Sequence, residues 1–270
     1  MTLTDVRPDA RPYVDATIRF TDPASAGSTL EVTDHESSTF QLIPKTMRIR
    51  NARADAGRLS FDANGFTMVR APFEIDWADQ AQVRARYYPE AARIVRELTG
   101  AKDVLVFLDL IRSSKRDEGI EPANNAHIDF DEPSVQAWVR WLRPDDAETL
   151  VGKRLVNINL WRPIRPIECM PLALCDASSV GRGELVPTKI SGRPGEAPQD
   201  LAGFNLAYDP DQRWFWYPDM QPDEVLAFKI FDSDEAKPHL CAHTAFVDPA
   251  SRADAPPRMS IEVRTIAILD

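Results

Sequence analysis

Prolines limit what this chain can fold into more than any other feature. There are 22 of them, spread from Pro8 to Pro257, against 11 glycines. Proline lacks a backbone N–H and has a locked φ, so it stops helices and avoids central strands. The chain is therefore expected to form many short elements with sharp ends rather than a helical bundle. Its 270 residues allow one large domain or two small ones, and 43% hydrophobic with 27% charged residues is an ordinary globular balance. No shift in composition forces a boundary, so a single domain over 1–270 is expected. In it, 1–75 supply N-terminal strands and turns, 76–150 helical support and one metal-type motif, and 151–270 mostly strands.

Short β-type runs are Phe40–Pro44 and, after the Asn64-Gly65 turn signal, Phe66–Arg70. Asp76 is placed to cap a helix through Ala78 to Arg86. Pro89 interrupts it and suits the first turn of a second helix that stops at Gly100. Val104–Leu108 reads as a buried strand. Val135, Trp138, Val139 and Leu142 fall at helical spacing within Ser134–Leu142. Further strands are expected over Leu155–Ile164, Phe204–Tyr208, Val225–Phe231 and Ser260–Leu269. Gly181–Gln199, rich in Gly, Pro and Ser, is expected to be a surface loop, either inert or a lid. The resulting architecture is a β-sandwich or barrel with helices packed on one side.

The formal net charge is −10, and no lysine/arginine cluster is long enough for a nucleic-acid footprint. A small-molecule substrate is the expected partner, with no nucleic acid. No window approaches a membrane span, and Met1 to Thr21 carries scattered charges in place of a signal peptide's apolar core. Cys169, Cys175 and Cys241 form no CxxC pair, so reduced thiols in a cytoplasmic protein are expected. A homodimer is one option for its assembly.

Of four histidines, His127 stands two residues before Asp129. On a strand that spacing puts both side chains on one face, within reach of one metal ion. His-x-Asp alone is a common chance pattern, equally suited to a hydrogen-bonded surface pair. Far downstream come His243 and then a terminal strand on which Arg258, Ser260, Glu262 and Arg264 share one parity and Ile261 and Val263 the other. With the apolar face packed outward under helices, the polar face points into the barrel, where Arg258 and Ser260 could bind a carboxylate. An edge strand with a wet polar face would show the same alternation. Two imidazoles and one carboxylate are the facial ligand set of non-haem iron(II) oxygenases, which leaves positions open for cosubstrate and oxygen. His239 is a rival to His243, but Pro238 and its β-type neighbours disfavour the helix that would let both bind one ion. Arg162, among apolar neighbours, calls for a carboxylate partner: Asp176, or a bound acid.

In this order of motifs the chain resembles the CmcJ/NvfI-like (gibberellin desaturase-like) family of iron(II)/2-oxoglutarate-dependent oxygenases. The matching segments are Tyr87-Tyr88-Pro89-Glu90, Ala126-His127-Ile128-Asp129, Asn157 to Pro163, Pro171 to Asp176, His243 to Pro249 and Pro256 to Arg264, from about residue 65 to the C-terminus. The resemblance implies a mainly β fold with flanking helices, the double-stranded β-helix (jelly roll, cupin-like). It implies iron(II) on His127, Asp129 and His243, with 2-oxoglutarate and O2 as cosubstrates. The cosubstrate carboxylate falls to Arg258 and Ser260, with Arg162 as a further candidate. It also implies oxidation of an unactivated C–H bond in a small specialised metabolite. One departure is Phe107-Leu108-Asp109-Leu110-Ile111-Arg112, where the family often has a histidine, so the substrate is expected to differ while Arg112 can still reach the site. The rival readings are a cupin-like dioxygenase or isomerase without 2-oxoglutarate, for which Arg258 has no use, and a non-catalytic jelly-roll binding protein.

Overall fold

The computed structural model describes residues 11–32, 34–115, 117–192 and 197–270. The strands in chain order are β1 (Tyr13–Thr21), β2 (Ser28–Glu31), β3 (Leu42–Asn51), β4 (Phe66–Arg70), β5 (Asp103–Ser113), β6 (His127–Ile128) and β7 (Arg154–Pro163). They continue with β8 (Leu172–Cys175), β9 (Leu185–Ser191), β10 (Ala202–Leu206), β11 (Trp214–Trp216), β12 (Glu224–Asp232), β13 (His243–Ala245) and β14 (Met259–Leu269). A nine-stranded sheet runs β1-β3-β11-β8-β13-β6-β10-β9-β2, and a five-stranded sheet runs β4-β12-β7-β14-β5. The sheets face each other across one core, in which Ile128, Leu174 and Trp214 of the larger meet Trp161, Phe228 and Ile266 of the smaller. This is a double-stranded β-helix, or jelly roll, with flanking helices.

The C-terminal alternation explains the layering. β14 is no edge strand: it lies between β7 and β5. Its Ile261 and Val263 join Ile158, Leu160 and Val225 beneath Ile94 and Val95 of the helix Tyr88–Thr99. Full burial of such a side chain stabilises by about 1.5–3 kcal/mol, an upper figure when the unfolded chain is already partly collapsed. The opposite parity, Ser260, Glu262 and Arg264, is buried between the sheets. The charged pair Glu262 and Arg264 stays inside because the two meet each other and Asp129.

The helical expectations are displaced. Asp79, and not Asp76, caps the helix start, accepting from Ala81 N at 2.9 Å and Gln82 N at 3.1 Å. Asp76 holds only a turn through Ala78 N. Pro89 does not interrupt the helix. A wide π turn over Val83–Tyr87, with Tyr88 N–H reaching Val83 O, precedes it, and Pro89 falls in the first turn that follows. Gly100, at φ 73°, closes the helix in the left-handed region. The strand read at Phe40–Pro44 is shifted and extended to Leu42–Asn51, because it pairs along its length with β1.

Gly181–Gln199 is not simply a loop. Leu185–Ser191 is a strand between β10 and β2, with Val186 and Thr188 turned in and Pro187 and Lys189 turned out. Residues 193–196 of that stretch, like 1–10 at the N-terminus, lie outside the described residues. No helix among the described residues is long and apolar enough to cross a membrane.

Candidate metal centre

Antiparallel pairing assembles the candidate metal ligands. On β6, His127 pairs with His243 of β13 on one side and with Asn205 of β10 on the other. Directly opposed residues in an antiparallel pair project to the same face, so the two imidazoles meet. Their ring centroids are 4.3 Å apart. Asp129, two residues after His127, projects to that same side. Ligand atoms of His127, Asp129 and His243 all lie within 4.8 Å of one another, and all three residues are buried.

The tautomers are fixed in a way that suits a cation. His127 Nδ1 donates to the backbone oxygen of Asn125 at 2.9 Å, and His243 Nδ1 to that of Cys241 at 3.4 Å. Each ring then presents an unprotonated Nε2. His243 Nε2 is buried and meets no hydrogen-bond partner; it stands 3.5 Å from Asp129 Oδ2. Two imidazole nitrogens and a carboxylate converging on one point, one nitrogen unsatisfied, fit a divalent first-row metal. Burial, with His243 beside it, pushes the His127 imidazole down to about 4. Burial also lowers His243. Both rings therefore stay neutral and available as ligands at neutral pH. Burial would raise the Asp129 carboxyl, but the Arg264 guanidinium, helped by Arg112, outweighs it and holds the group below the usual carboxylate range.

The carboxylate is held from the opposite sheet. Arg264 Nη2 donates to Asp129 Oδ1 at 2.5 Å and Asn159 Nδ2 to Oδ2 at 2.6 Å. Arg264 is itself paired with Glu262 at 2.9 Å. The register that places Asn159 opposite Arg264 in β7 and β14 makes this possible.

Arg258 and Ser260 lie side by side: Arg258 Nε donates to Ser260 Oγ at 3.3 Å and Nη1 to Met170 O at 2.9 Å, with the guanidinium 5.0 Å over the Trp161 ring. Arg258 is 1% exposed and has no carboxylate partner among the described residues. Burial, reinforced by the nearby Arg112, pushes its guanidinium down to about 9. A small cavity joins Arg258, Arg112 and Glu262 to His127 and His243. A larger one opens on the other flank of His127 and Asp129.

Arg162 is not brought to the site. It follows inward-facing Trp161 on β7 and so faces the outer layer. There its Nε donates to Tyr87 Oη at 2.9 Å, Nη1 to Pro222 O at 2.7 Å and Nη2 to Ala71 O at 2.6 Å. Its partners are a hydroxyl and two carbonyls, not Asp176, which instead takes Arg213 at 2.8 Å. The expectation that Arg162 binds cofactor is thus corrected: this guanidinium ties the helical layer to the sheet. His239 also stays outside, its Nδ1 bonded to Lys237 O at 2.8 Å. Arg112 does reach the site, lining both cavities and donating to Glu121 O at 3.1 Å.

Sequence reading passed over Asn159, Asn205 and Gly203. The first had a usable signal, since Asn157, Asn159 and Trp161 share one parity of a strand otherwise apolar. A Cβ on Gly203 would lie 2.5 Å from both Ile128 O and Asp129 O, so only glycine lets β10 approach the ligand strand this closely. Nothing local to Gly203 or Asn205 marks them in the sequence, because both matter through pairing with β6.

A family model described as an oxidoreductase/YMDC permease-like domain matches residues 16–268. The hydroxylase/desaturase CTB9 of Cercospora beticola is 32% identical over 248 residues, 82% of this chain and 75% of that protein. The Fe(II)/2-oxoglutarate-dependent dioxygenase nvfI of Aspergillus novofumigatus is 29% identical over 241 residues, 85% of each. The solved structure of the iron and alpha-ketoglutarate-dependent endoperoxidase NvfI superposes with a TM-score of 0.83 at 28% identity, covering 96% of this chain and 99% of that one.

Proposed function

We propose that this chain, which belongs to the oxidoreductase/YMDC permease-like family and with it to the iron(II)/2-oxoglutarate-dependent oxygenases, oxidises an unactivated C–H bond of a small specialised metabolite. Hydroxylation, desaturation and related oxidations share the same opening step. Iron(II) is held by His127, Asp129 and His243. The chemistry it supplies when bound is activation of O2 at the expense of 2-oxoglutarate, which leaves as succinate and CO2.

The observation that carries the reading is Arg258: a buried guanidinium, without a carboxylate of its own, lining a cavity shared with both histidines. A dicarboxylate binding there would turn its keto-acid end toward the metal site and set its far carboxylate on Arg258 and Ser260. Arg112 on the same wall adds a second cation, which suits a dianion. Asn159 and Arg264 keep Asp129 oriented. The apolar walls of the larger cavity exclude water and receive the substrate. Without 2-oxoglutarate, a cupin-type reaction leaves Arg258 without a role. Free thiols at Cys169, Cys175 and Cys241 suit a cytoplasmic enzyme.

The test loads the protein anaerobically with iron(II), adds 2-oxoglutarate and air, and follows succinate and O2 across a metabolite library. Succinate that depends on iron and 2-oxoglutarate and rises with particular metabolites is expected. Oxygen consumption with no loss of 2-oxoglutarate would transfer the assignment to a cupin-type oxidation. Neither consumption nor succinate with any metabolite would leave a binding protein.

A further inference from the structure

The larger cavity carries a polar feature that metal binding does not use. Asn205 is the cross-strand partner of His127, so its amide lies on the same face as that ligand. Asn125, two residues before His127, shares the face too. Asn125 Nδ2 donates to Asn205 Oδ1 at 2.8 Å, while the Asn125 backbone oxygen accepts from His127 Nδ1. The pair is thereby fixed from two sides. Asn205 has spent its carbonyl on Asn125, and its Nδ2, in a residue 1% exposed, meets no partner.

A buried amide N–H with nothing to bond is destabilising and calls for an explanation in terms of a ligand or water. Both asparagines line the larger cavity beside the metal site. Its remaining walls are largely apolar, with Leu30, Val32, Leu108, Leu110, Ile190 and Phe204. Among its lining residues, the buried side-chain atoms without partners are Asn205 Nδ2 and Arg264 Nη1. Both are donors. The arginines there are already engaged, Arg264 by Asp129 and Glu262 and Arg112 by Glu121 O. Apart from the metal-binding groups, the unpaired buried atoms of this wall are therefore donors, and both of its arginines stand by carboxylates, Arg264 on Asp129 and Arg112 3.9 Å from Glu262.

We propose that Asn205, oriented by Asn125, is a specificity-determining residue that donates its free amide N–H to an oxygen acceptor (a ketone, lactone or ether oxygen) of an otherwise apolar, uncharged substrate. The donor's place beside His127 fixes which carbon of the substrate faces the metal. This rests on the oxygenase reading of the same site.

The experiment uses the anaerobic enzyme loaded with iron(II) and 2-oxoglutarate, and two probes: a polycyclic alicyclic ketone and its analogue with methylene in place of the carbonyl. Binding is measured by equilibrium dialysis, with iron content and thermal melting recorded for every variant. Wild type should prefer the ketone by about tenfold or more, the usual consequence of leaving a buried donor unpaired. Asn205→Leu should erase the preference while keeping the methylene probe. Asn205→Asp, which keeps size and the bond from Asn125 but loses the donor, should erase it also. Asn205→Ser is the fallback should the leucine variant fail to fold, and its shortened reach should reduce the preference. Equal binding of the two probes by wild type, or a preference unchanged in the leucine and aspartate variants at full iron content, overturns the proposal. The oxygenase reading fails separately, if the iron-loaded protein takes up no 2-oxoglutarate, whatever the Asn205 variants do.

Discussion

Asn159, on β7 of the smaller sheet, reaches across the sandwich to donate to Oδ2 of Asp129 at 2.6 Å. With Arg264 on Oδ1, one lone pair of each carboxylate oxygen is occupied by protein, so the group cannot rotate and the remaining lone pairs face the imidazoles. Outer partners of this kind orient a ligand and tune its basicity.

Asn159→Ala should accordingly weaken iron(II) binding by about 10-fold to 100-fold, the usual effect of removing such a partner. Arg264→Ala should do at least as much, since it also leaves Glu262 buried without its partner. Competitive chelator titration of the two variants checks this. Wild-type affinity in both would mean that Asp129 needs no support.

For the ligands themselves, His127→Ala and His243→Ala should each lose stoichiometric iron, because either change leaves two protein ligands. His239→Ala should keep it, since that ring is bonded to Lys237 O and packs near Phe231. Metal content after dialysis is the measurement. Loss of iron in the His239 variant alone would reverse the assignment.

How much of this was legible in the sequence varies with how local the cause is. The parity of β14 settled which side chains point inward, because period-two alternation is a property of the strand itself. The Asn64-Gly65 turn and the Gly100 stop were equally local. Pro89 falls in the first helical turn as expected, but the helix start is capped by Asp79 rather than Asp76 and the two helical runs join without a break through the π turn at Val83–Tyr87, where Tyr87 packs on Phe73 and Trp77, contacts that the local pattern does not mark. β9 was hidden by Pro187 and its Gly-rich flanks, although Val186 and Thr188 alternate correctly. β1 was overlooked as well, despite Val14, Ala16, Ile18 and Phe20 all turning inward. In the site, the convergence of His127, Asp129 and His243 and the inward face of Arg258 were legible from spacing and parity. Arg162 was not, because its apolar neighbours fit an outward tie as well as an inward anchor.

Gly203→Ala should damage the centre without touching a ligand. Its new Cβ would meet two backbone oxygens, which cannot swing aside as a flexible side chain would. Overpacking of this kind costs about 1–3 kcal/mol. The β10–β6 pairing should open and melting temperature and iron affinity should fall together. An alanine variant with both unchanged would show that β10 can retreat at no cost.

Arg258 and Arg162, both fully buried, give the most divided outcome. Arg258 has an open role, with one hydroxyl, one carbonyl and an aromatic face as its contacts. A charge-assisted pair with a carboxylate in such surroundings contributes about 2–4 kcal/mol on truncation. Arg258→Ala should therefore raise the half-saturating 2-oxoglutarate concentration by roughly 30-fold to 1000-fold, at about 1.4 kcal/mol per tenfold. Iron binding should hold, because Arg258 is not a ligand. Arg258→Lys should rescue in part, keeping the charge and losing the fork. Arg162→Ala should behave in the opposite way. It strands Tyr87 Oη and the carbonyls of Ala71 and Pro222, so melting temperature should drop while the 2-oxoglutarate dependence of the folded protein stays near wild type. Succinate release against 2-oxoglutarate concentration, with a thermal melt for each variant, measures both. A sharp rise in half-saturation for Arg162→Ala with none for Arg258→Ala would put the cosubstrate carboxylate on the outer face of β7, against the layering described above.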